Sequence, residues 1–325
     1  MDIFIRIIIF LLGLALVAST LLSAIRTFVL PRSSNDPLTR VVFLSIWQIF
    51  RLRMIPVHTY KAREQIAALY APIGLLALPP TWLALVMLGY TGMYFALGTP
   101  TWYEAFRMSG SALLTLGFAN ADDLPRTLLM YTQAAIGLIL VALLISYLPT
   151  MYSAFSRRET AVTMLEVRAG SPPSAIELIA RYHRLNRFEY LHVLWEQWEI
   201  WFAEIEETHT SLAALVFFRS PQPDHSWVTA AGAVLDSAAL INAIVDTPRN
   251  VQADLCLRAG YIALQRIADF FEIKYNAHPP PSDPISISRD EFTAACDDLA
   301  QRGVPLKQDR EQAWRDFVGW RVNYD

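Results

Sequence analysis

Thr115, Leu116, Gly117, Phe118 and Ala119, followed by Asn120, form a Thr-aliphatic-Gly-aromatic string between two long apolar runs. The chemistry such a string can do is carried by its backbone. Carbonyl oxygens replace the hydration shell of a cation when the chain is extended and the oxygens point one way. Glycine permits this, because it tolerates the positive φ values that alternating peptide orientation demands. Asp122 and Asp123 lie just beyond the string, and acidic groups at the mouth of an ion path concentrate cations. Ser109 and Ser111 precede it on what reads as a short amphipathic helix over 102–114. Their spacing suits hydrogen bonds behind the string, and it equally suits small packing residues.

Other reactive side chains are less suggestively placed. Glu189/His192 and Glu206/His209 have the E-x-x-H spacing of di-iron bundles, in which the two motifs come from different helices. Here both fall on one predicted helix, off a common face, and read as incidental histidines on a solvated, Glu-rich helix. Trp195, Trp198, Trp201 and Phe202 recur at helical spacing, as residues of a core or a subunit interface do. The two cysteines, Cys256 and Cys296, make no disulfide framework and suit a reducing compartment. No Cys/His cluster suggests zinc. No Walker loop and no strand-borne GxGxxG suggests a nucleotide-binding Rossmann domain. No nucleophile stands at a recognisable spacing from a base, so neither catalysis nor a resident metal or cofactor is expected.

The elements around the string are of two kinds. Hydrophobic residues make up 54% of the chain and charged residues 18%, with a mean hydropathy of +0.30. That balance is too apolar for an ordinary soluble protein and too charged for a membrane bundle throughout. Up to Ser156 there are ten basic and six acidic side chains; from Arg157 onward there are seventeen and twenty-four. A mildly basic first part and an acidic remainder argue against nucleic-acid binding, which needs a basic face. Residues 7–25 are uncharged and long enough to cross a hydrocarbon core of about 30 Å. Their weakly charged flank (Asp2, Arg6) favours an uncleaved anchor over a signal peptide. Residues 41–50, between Arg40 and Arg51, are too few to span and read as an interfacial helix. A second span is placed near 72–97, after an interfacial turn, with Pro72 able to start it and Pro79-Pro80 expected to kink or break it. Residues 127–156 form the third, closed by Arg157, Arg158 and Glu159.

Charge sets the orientation. Arg26, Arg32, Arg40, Arg51, Arg53, Lys61 and Arg63 all fall between the first two spans, which makes that segment cytoplasmic. The amino terminus and the 98–126 loop then face outward and everything from Arg157 faces inward. Asp122 and Asp123 are thereby placed at the outer face.

This order of outer span, short helix, TLGFAN, acidic turn, Pro125, inner span and basic exit resembles the pore of the potassium-channel superfamily. The string is similar to its TVGYG filter, and more closely to the GFGN variant of the ether-a-go-go-related channels. The resemblance covers about eighty residues and implies a re-entrant pore loop. In it, 102–114 is the pore helix, whose negative dipole end favours cations. Thr115 supplies a hydroxyl and a carbonyl at the inner end of the filter, Leu116, Gly117 and Phe118 supply carbonyls with Phe118 packing outward, and Asn120 lies just outside. The inner helix, 127–152, carries Gly137 where the superfamily often has a hinge glycine, or where close helix packing needs one. Pro149 stands at a kink or a plain helix end. Tyr147, Leu148, Pro149 and Met151 are the implied constriction. Ala119 departs from the pattern: the family's glycine has positive φ there, which costs an alanine roughly 1–2 kcal/mol and four copies roughly 4–8 kcal/mol. The outer filter is therefore expected to adopt another conformation, with its outermost ion site lost or widened and potassium discrimination reduced.

The fold expected is an all-α membrane protein of three transmembrane helices plus a re-entrant loop, with an all-α cytoplasmic domain. Its parts are a first transmembrane helix (1–31), a cytoplasmic or interfacial segment (32–71), a pore domain (72–156) and a helical cytoplasmic domain (157–325). In the last, capping boxes at Ser174/Glu177 and Ser288/Glu291 open helices. Helical periodicity covers 173–186, 187–209, 227–245, 250–275, 289–302 and 308–322, the last running on toward Asp325 as if the natural chain continued. Breaks fall at 220–224, 247–248 and 278–284. Asp236 argues against a fourth span over 228–245. The function implied is passive conduction of K⁺ or of monovalent cations less selectively, by a homotetramer in a plasma membrane (the inner membrane of a bacterium), with lipid as the other partner and no identified cytoplasmic ligand. No arginine repeat suggests a voltage sensor. The rival readings are a non-conducting scaffold or sensor with a degenerate pore, a plain three-helix anchor, and a membrane-anchored enzyme.

Overall fold

The computed structural model describes residues 3–30, 36–56, 59–220, 222, 224–281 and 283–325, with Tyr60 and Lys61 described by backbone alone. Asp2, Arg32, the boundary at 31/32 and the Pro221, Pro223 and Ser282 parts of the expected breaks lie outside the described residues. Among the described residues the fold is helical, and the one pairing of extended backbone is a bridge between Val245 and Leu306. The chain divides into two compact units, Met1–His58 with Ile66–Ser153, and Thr59–Gln65 with Ala154–Asp325.

The first unit holds α1 (Ile3–Phe28), α2 (Pro37–Met54), α4 (Tyr70–Ala96), α5 (Trp102–Leu113) and the first part of α6 (Leu124–Ala169); α3 (Tyr60–Ala68) precedes α4. Among the described residues three helical stretches are long and apolar enough to cross a membrane: Ile3–Phe28, Ala62–Ala96 and Leu124–Ala169. The ten-residue interfacial helix expected at 41–50 is longer, eighteen residues. Asp36 caps it by accepting from Thr39 N at 2.7 Å, and Pro37 stands at the first turn, where its missing N–H is no loss. Arg40, Arg51 and Arg53 end the apolar run without ending the helix, because arginine is a good helix former. The turn expected before the second span is helix α3. Nor does Pro79-Pro80 break the span: α4 runs through both, with Leu75, Leu78, Pro79 and Trp82 buried. Packing of this kind, rather than local propensity, supplies most of a helix's stability.

α4 is central, packing on α1, α2 and α5. Gly13 of α1 and Gly89 of α4 let two backbones meet: a Cβ on Gly13 would lie 2.4 Å from the Gly89 carbonyl oxygen. Ser23 ties this contact to α2, donating to Asp36 (2.6 Å) and accepting from Trp82 Nε1 (3.1 Å).

The third span is also longer than expected. It does not stop at 152 or 156 but continues to Ala169, so Pro149 is interior and Arg157, Arg158 and Glu159 lie within the helix. The apolar pattern ends there, whereas helix propensity does not.

The second unit adds α7 (Ala175–Arg184), α8 (Leu191–Ser211), α9 (Trp227–Ala243), α10 (Val251–Phe270), α11 (Arg289–Gln301) and α12 (Arg310–Arg321), with 3-10 turns at Phe188–Tyr190 and Ala213–Phe217. The capping box at Ser288/Glu291 is complete. At Ser174 only half forms, since Glu177's carboxylate is engaged by Arg181 (2.6 Å) and Arg302 (2.8 Å). Trp195, Trp198, Trp201 and Phe202 are core residues, packed with α9 and α10. α9 is apolar nearly all round because it is buried nearly all round. Its Asp236, pushed up by burial, is held by Arg321 (2.5 Å) and Tyr324 (3.0 Å).

Arg158 is buried in this unit. It donates to the carbonyls of Leu215 (3.2 Å) and Phe218 (2.7 Å), pairs with Glu159 (3.0 Å) and lies over Phe155 and Trp227. Its Nη1 is also 3.3 Å from His209 Nε2, and His209 Nδ1 is 2.9 Å from the Ile205 carbonyl. A carbonyl only accepts, so Nδ1 carries the proton and Nε2 accepts from Arg158. Burial first, and the Arg158 charge second, lower the His209 pKa to about 3 from 6.5. Between those values the unfolded chain binds a proton that the native chain does not, so His209's contribution is complete above pH 6.5 and is lost as pH falls toward 3. In chemical denaturation of the full chain, wild type should therefore lose about 2 kcal/mol more than His209→Gln between about pH 7.5 and pH 5, the loss approaching about 1.4 kcal/mol per pH unit below the unfolded pKa. Equal losses would overturn the assignment.

Candidate functional site

α5 begins where Thr101 accepts from Glu104 N (3.1 Å) and runs for twelve residues, about 18 Å. That is short of the roughly 30 Å of a hydrocarbon core. Ala105, Met108, Ser109, Ser111, Ala112 and Leu113 are buried, while Tyr103, Phe106 and Arg107 are exposed. One face is fixed by a polar knot. Ser109 Oγ donates to the Met87 carbonyl of α4 (2.8 Å) and accepts from Gln133 Nε2 of α6 (2.7 Å). Gln133 Oε1 in turn accepts from Tyr94 of α4 (3.0 Å). Ser109, Gln133 and Tyr94 are fully buried. Gln133 was legible only as a lone amide in an apolar run, and its role was not read from sequence.

Gly137 completes the seat. A Cβ there would lie 2.3 Å from the Leu113 carbonyl oxygen, so this glycine serves close packing against the end of α5. Met87 is nine residues before the end of α4, and Gly137 is thirteen after the start of α6. At 1.5 Å per residue, α5 therefore meets both helices about 13–20 Å in from their ends.

α5 closes in a Schellman turn, with Leu116 N donating to Ser111 O (2.8 Å) and Thr115 N to Ala112 O (3.1 Å). Thr115 takes the left-handed position, φ 53°, that glycine usually fills. For a β-branched residue this costs roughly 1–2 kcal/mol. Thr115 thus belongs to the helix cap, and the irregular segment begins at Leu116. Gly117 has φ 73°. No described atom lies within 4 Å of where its Cβ would be, so it is the backbone that requires glycine. Ala119 is not among the left-handed residues, and its N–H donates to Ser111 Oγ (3.1 Å). Positive φ falls on Thr115 and Gly117 and not on Ala119. Ser111 fastens both ends of the loop, by its carbonyl and by its hydroxyl.

Leu116 and Phe118 are more than half exposed, and Gly117 is exposed. The Phe118 ring lies 5.5 Å from the Arg107 guanidinium of α5. Asn120 and Asp122 are exposed. Asp123 pairs with Arg126 (2.8 Å), whose hydrogen bond holds its carboxyl below the usual range, and it also accepts from Arg126 N at the start of α6. Sequence reading missed Arg126, which offsets one of the two acidic charges beside the loop.

Along α6, Tyr147 and Met151 are buried, with Tyr147 stacked on Phe28 of α1 at 4.2 Å. Leu148 is half-buried and Pro149 exposed. Leu128, Tyr131, Leu138, Ile139, Val141, Ile145 and Tyr152 form a broad exposed apolar surface on the same helix.

The E-x-x-H residues are not brought together. Glu189 lies in the 3-10 turn before α8, where its carbonyl faces His192; Glu206 pairs with Arg266 (2.9 Å) and His209 with Arg158. Among the described residues no group of three or more His, Cys, Asp or Glu side chains could hold a metal. Comparisons of the chain with protein-family models, curated proteins and solved structures found no match.

Removing the Ser111 hydroxyl leaves Ala119 N–H without its acceptor, a loss of about 1–1.5 kcal/mol. Ser111→Ala should accordingly speed hydrogen exchange at Ala119 roughly five- to tenfold and leave α8 unchanged. Unaltered exchange at Ala119 would show that the loop is held by something else.

Proposed function

We propose that the chain forms a homotetrameric channel for passive conduction of monovalent cations, built on a re-entrant loop at 115–119. The observation that carries this reading is the loop's fastening by Ser111 at the end of α5, partway along α4 and α6, with residues 116–118 left exposed. Irregular backbone at membrane depth is tolerated only where it is buried in protein or lines a water-filled path. A single chain offers one such loop, and four around an axis are needed to surround an ion. The apolar outer surface of α6 supports contacts with lipid and with neighbouring copies. Positive charge between the first two spans supports an outward-facing loop and an inward-facing second unit.

Selectivity follows from the backbone. With Thr115 turned left-handed in the helix cap, and the Ala119 carbonyl 3.5 Å from the Ser111 hydroxyl that can donate to it, fewer carbonyls are aligned and free for the ion, so discrimination between K⁺ and Na⁺ is weak. The Thr115 turn also favours a second reading, in which the pore is degenerate and only holds a tetrameric scaffold together.

Flux through reconstituted protein separates the two. Wild type should pass both K⁺ and Na⁺, Gly117→Val should reduce both to background, and Ala119→Gly should raise the K⁺/Na⁺ ratio several-fold. Absence of flux across a range of pH and voltage favours the scaffold. A stable monomer or dimer in nanodiscs rules out both.

A further inference from the structure

An open cleft of about 780 Å³ lies in the second unit between the end of α6, α7 and the 3-10 turn that follows. Such a volume is in the range of small-molecule sites. Three arginines line it, Arg168, Arg181 and Arg187, and no carboxylate does. This runs against the composition around it, since from Arg157 onward acidic side chains outnumber basic ones by twenty-four to seventeen.

The three guanidinium groups are only partly satisfied. Arg168 donates to the Met164 carbonyl of its own helix (2.8 Å) and has no ion pair among the described residues. Arg181 gives one nitrogen to Glu177 and another to the Val167 carbonyl, while its Nε–H is buried without an acceptor. Glu177 is itself shared with Arg302. Arg187 is exposed, its nearest carboxylate, Glu189, is 3.8 Å away, and it rests on the face of Tyr190 at 5.1 Å. Tyr182, Tyr190 and Leu185 supply flat and apolar wall beside these charges.

We propose that this cleft binds a soluble organic phosphate with a flat body, of the nucleoside-phosphate kind. The phosphoryl oxygens engage Arg168 and Arg187 and bring an acceptor to the wall that holds the unmatched Arg181 N–H. The flat body lies against Tyr182, Tyr190 and Leu185. Guanidinium forks match the oxygens of phosphate, and a cluster of three suits a multiply charged group better than a lone carboxylate. A lipid headgroup offers the same phosphate. However, from Arg157 onward acidic side chains outnumber basic ones, so an anionic lipid surface repels this part of the chain, which favours a soluble source. The site is independent of whether ions pass through the chain.

The test is calorimetric titration of the full chain in nanodiscs of neutral lipid with AMP, ATP and inorganic phosphate, with nanodiscs containing phosphatidylglycerol as a separate arm. AMP and ATP should bind saturably and more tightly than inorganic phosphate. Arg168→Gln and Arg187→Gln should each weaken that binding about tenfold or more, with the thermal midpoint unchanged. No binding of AMP or ATP overturns the proposal, as does binding that either variant leaves intact. Inorganic phosphate binding as tightly as AMP removes the flat body. Retention of phosphatidylglycerol by wild type alone, without nucleotide binding, reassigns the cleft to lipid.

Discussion

The hydrogen bonds of Ser109 hold the first unit's design together. Polar groups buried where α5 packs against α4 and α6 must find their partners within the protein. The Met87 carbonyl, the Ser109 hydroxyl and the Gln133 amide satisfy one another, and Tyr94 takes the remaining oxygen. Each buried polar group left without a partner would cost about 1–3 kcal/mol, so the four act as a unit. That unit fixes the depth of α5, and the depth of α5 fixes where the loop at 115–119 begins. Gly137 and the Leu113 carbonyl add a steric condition at the same place, since no side chain fits between them.

The second unit meets the same problem with a charge. Arg158 is buried with Glu159, two carbonyls, a neutral imidazole and two aromatic faces. An ion taken from water is tolerated only with such a full complement of partners. His209, which sequence spacing made a candidate metal ligand, is one of those partners, and its tautomer is dictated by the Ile205 carbonyl.

Helix positions in the sequence were legible because apolar periodicity and capping residues act over a few positions. Ser288 with Glu291, and the start of α5 at Trp102, show this. Lengths were less legible wherever a change of polarity was taken for a change of conformation, as at Arg51 in α2 and at Arg157 in α6. Pro79-Pro80 leave α4 unbroken for a related reason: the rule against interior proline is local, whereas contacts that hold α4 come from α1 and α2. In the loop, Gly117 was legible as the residue needing left-handed backbone. The left-handed Thr115 was not, because its conformation follows from two hydrogen bonds back to α5 and not from its own preference. Gln133 and Arg126 were invisible as site residues, since their partners are distant in sequence or fixed only by helix geometry.

Energies explain why the loop keeps this shape. The left-handed conformation at Thr115 costs roughly 1–2 kcal/mol. Against it stand two backbone hydrogen bonds to Ser111 and Ala112 and the Ala119 bond to the Ser111 hydroxyl. At a net of about 0.5–1.5 kcal/mol each, the three together give roughly 1.5–4.5 kcal/mol. The bonds win by a margin on the order of 1–2 kcal/mol. Two of the three depend on Ser111, one through its carbonyl and one through its hydroxyl. Losing the hydroxyl bond alone brings strain and restraint nearly level. The conformation of residues 116–118 is thus set less by the string itself than by one serine on the helix before it.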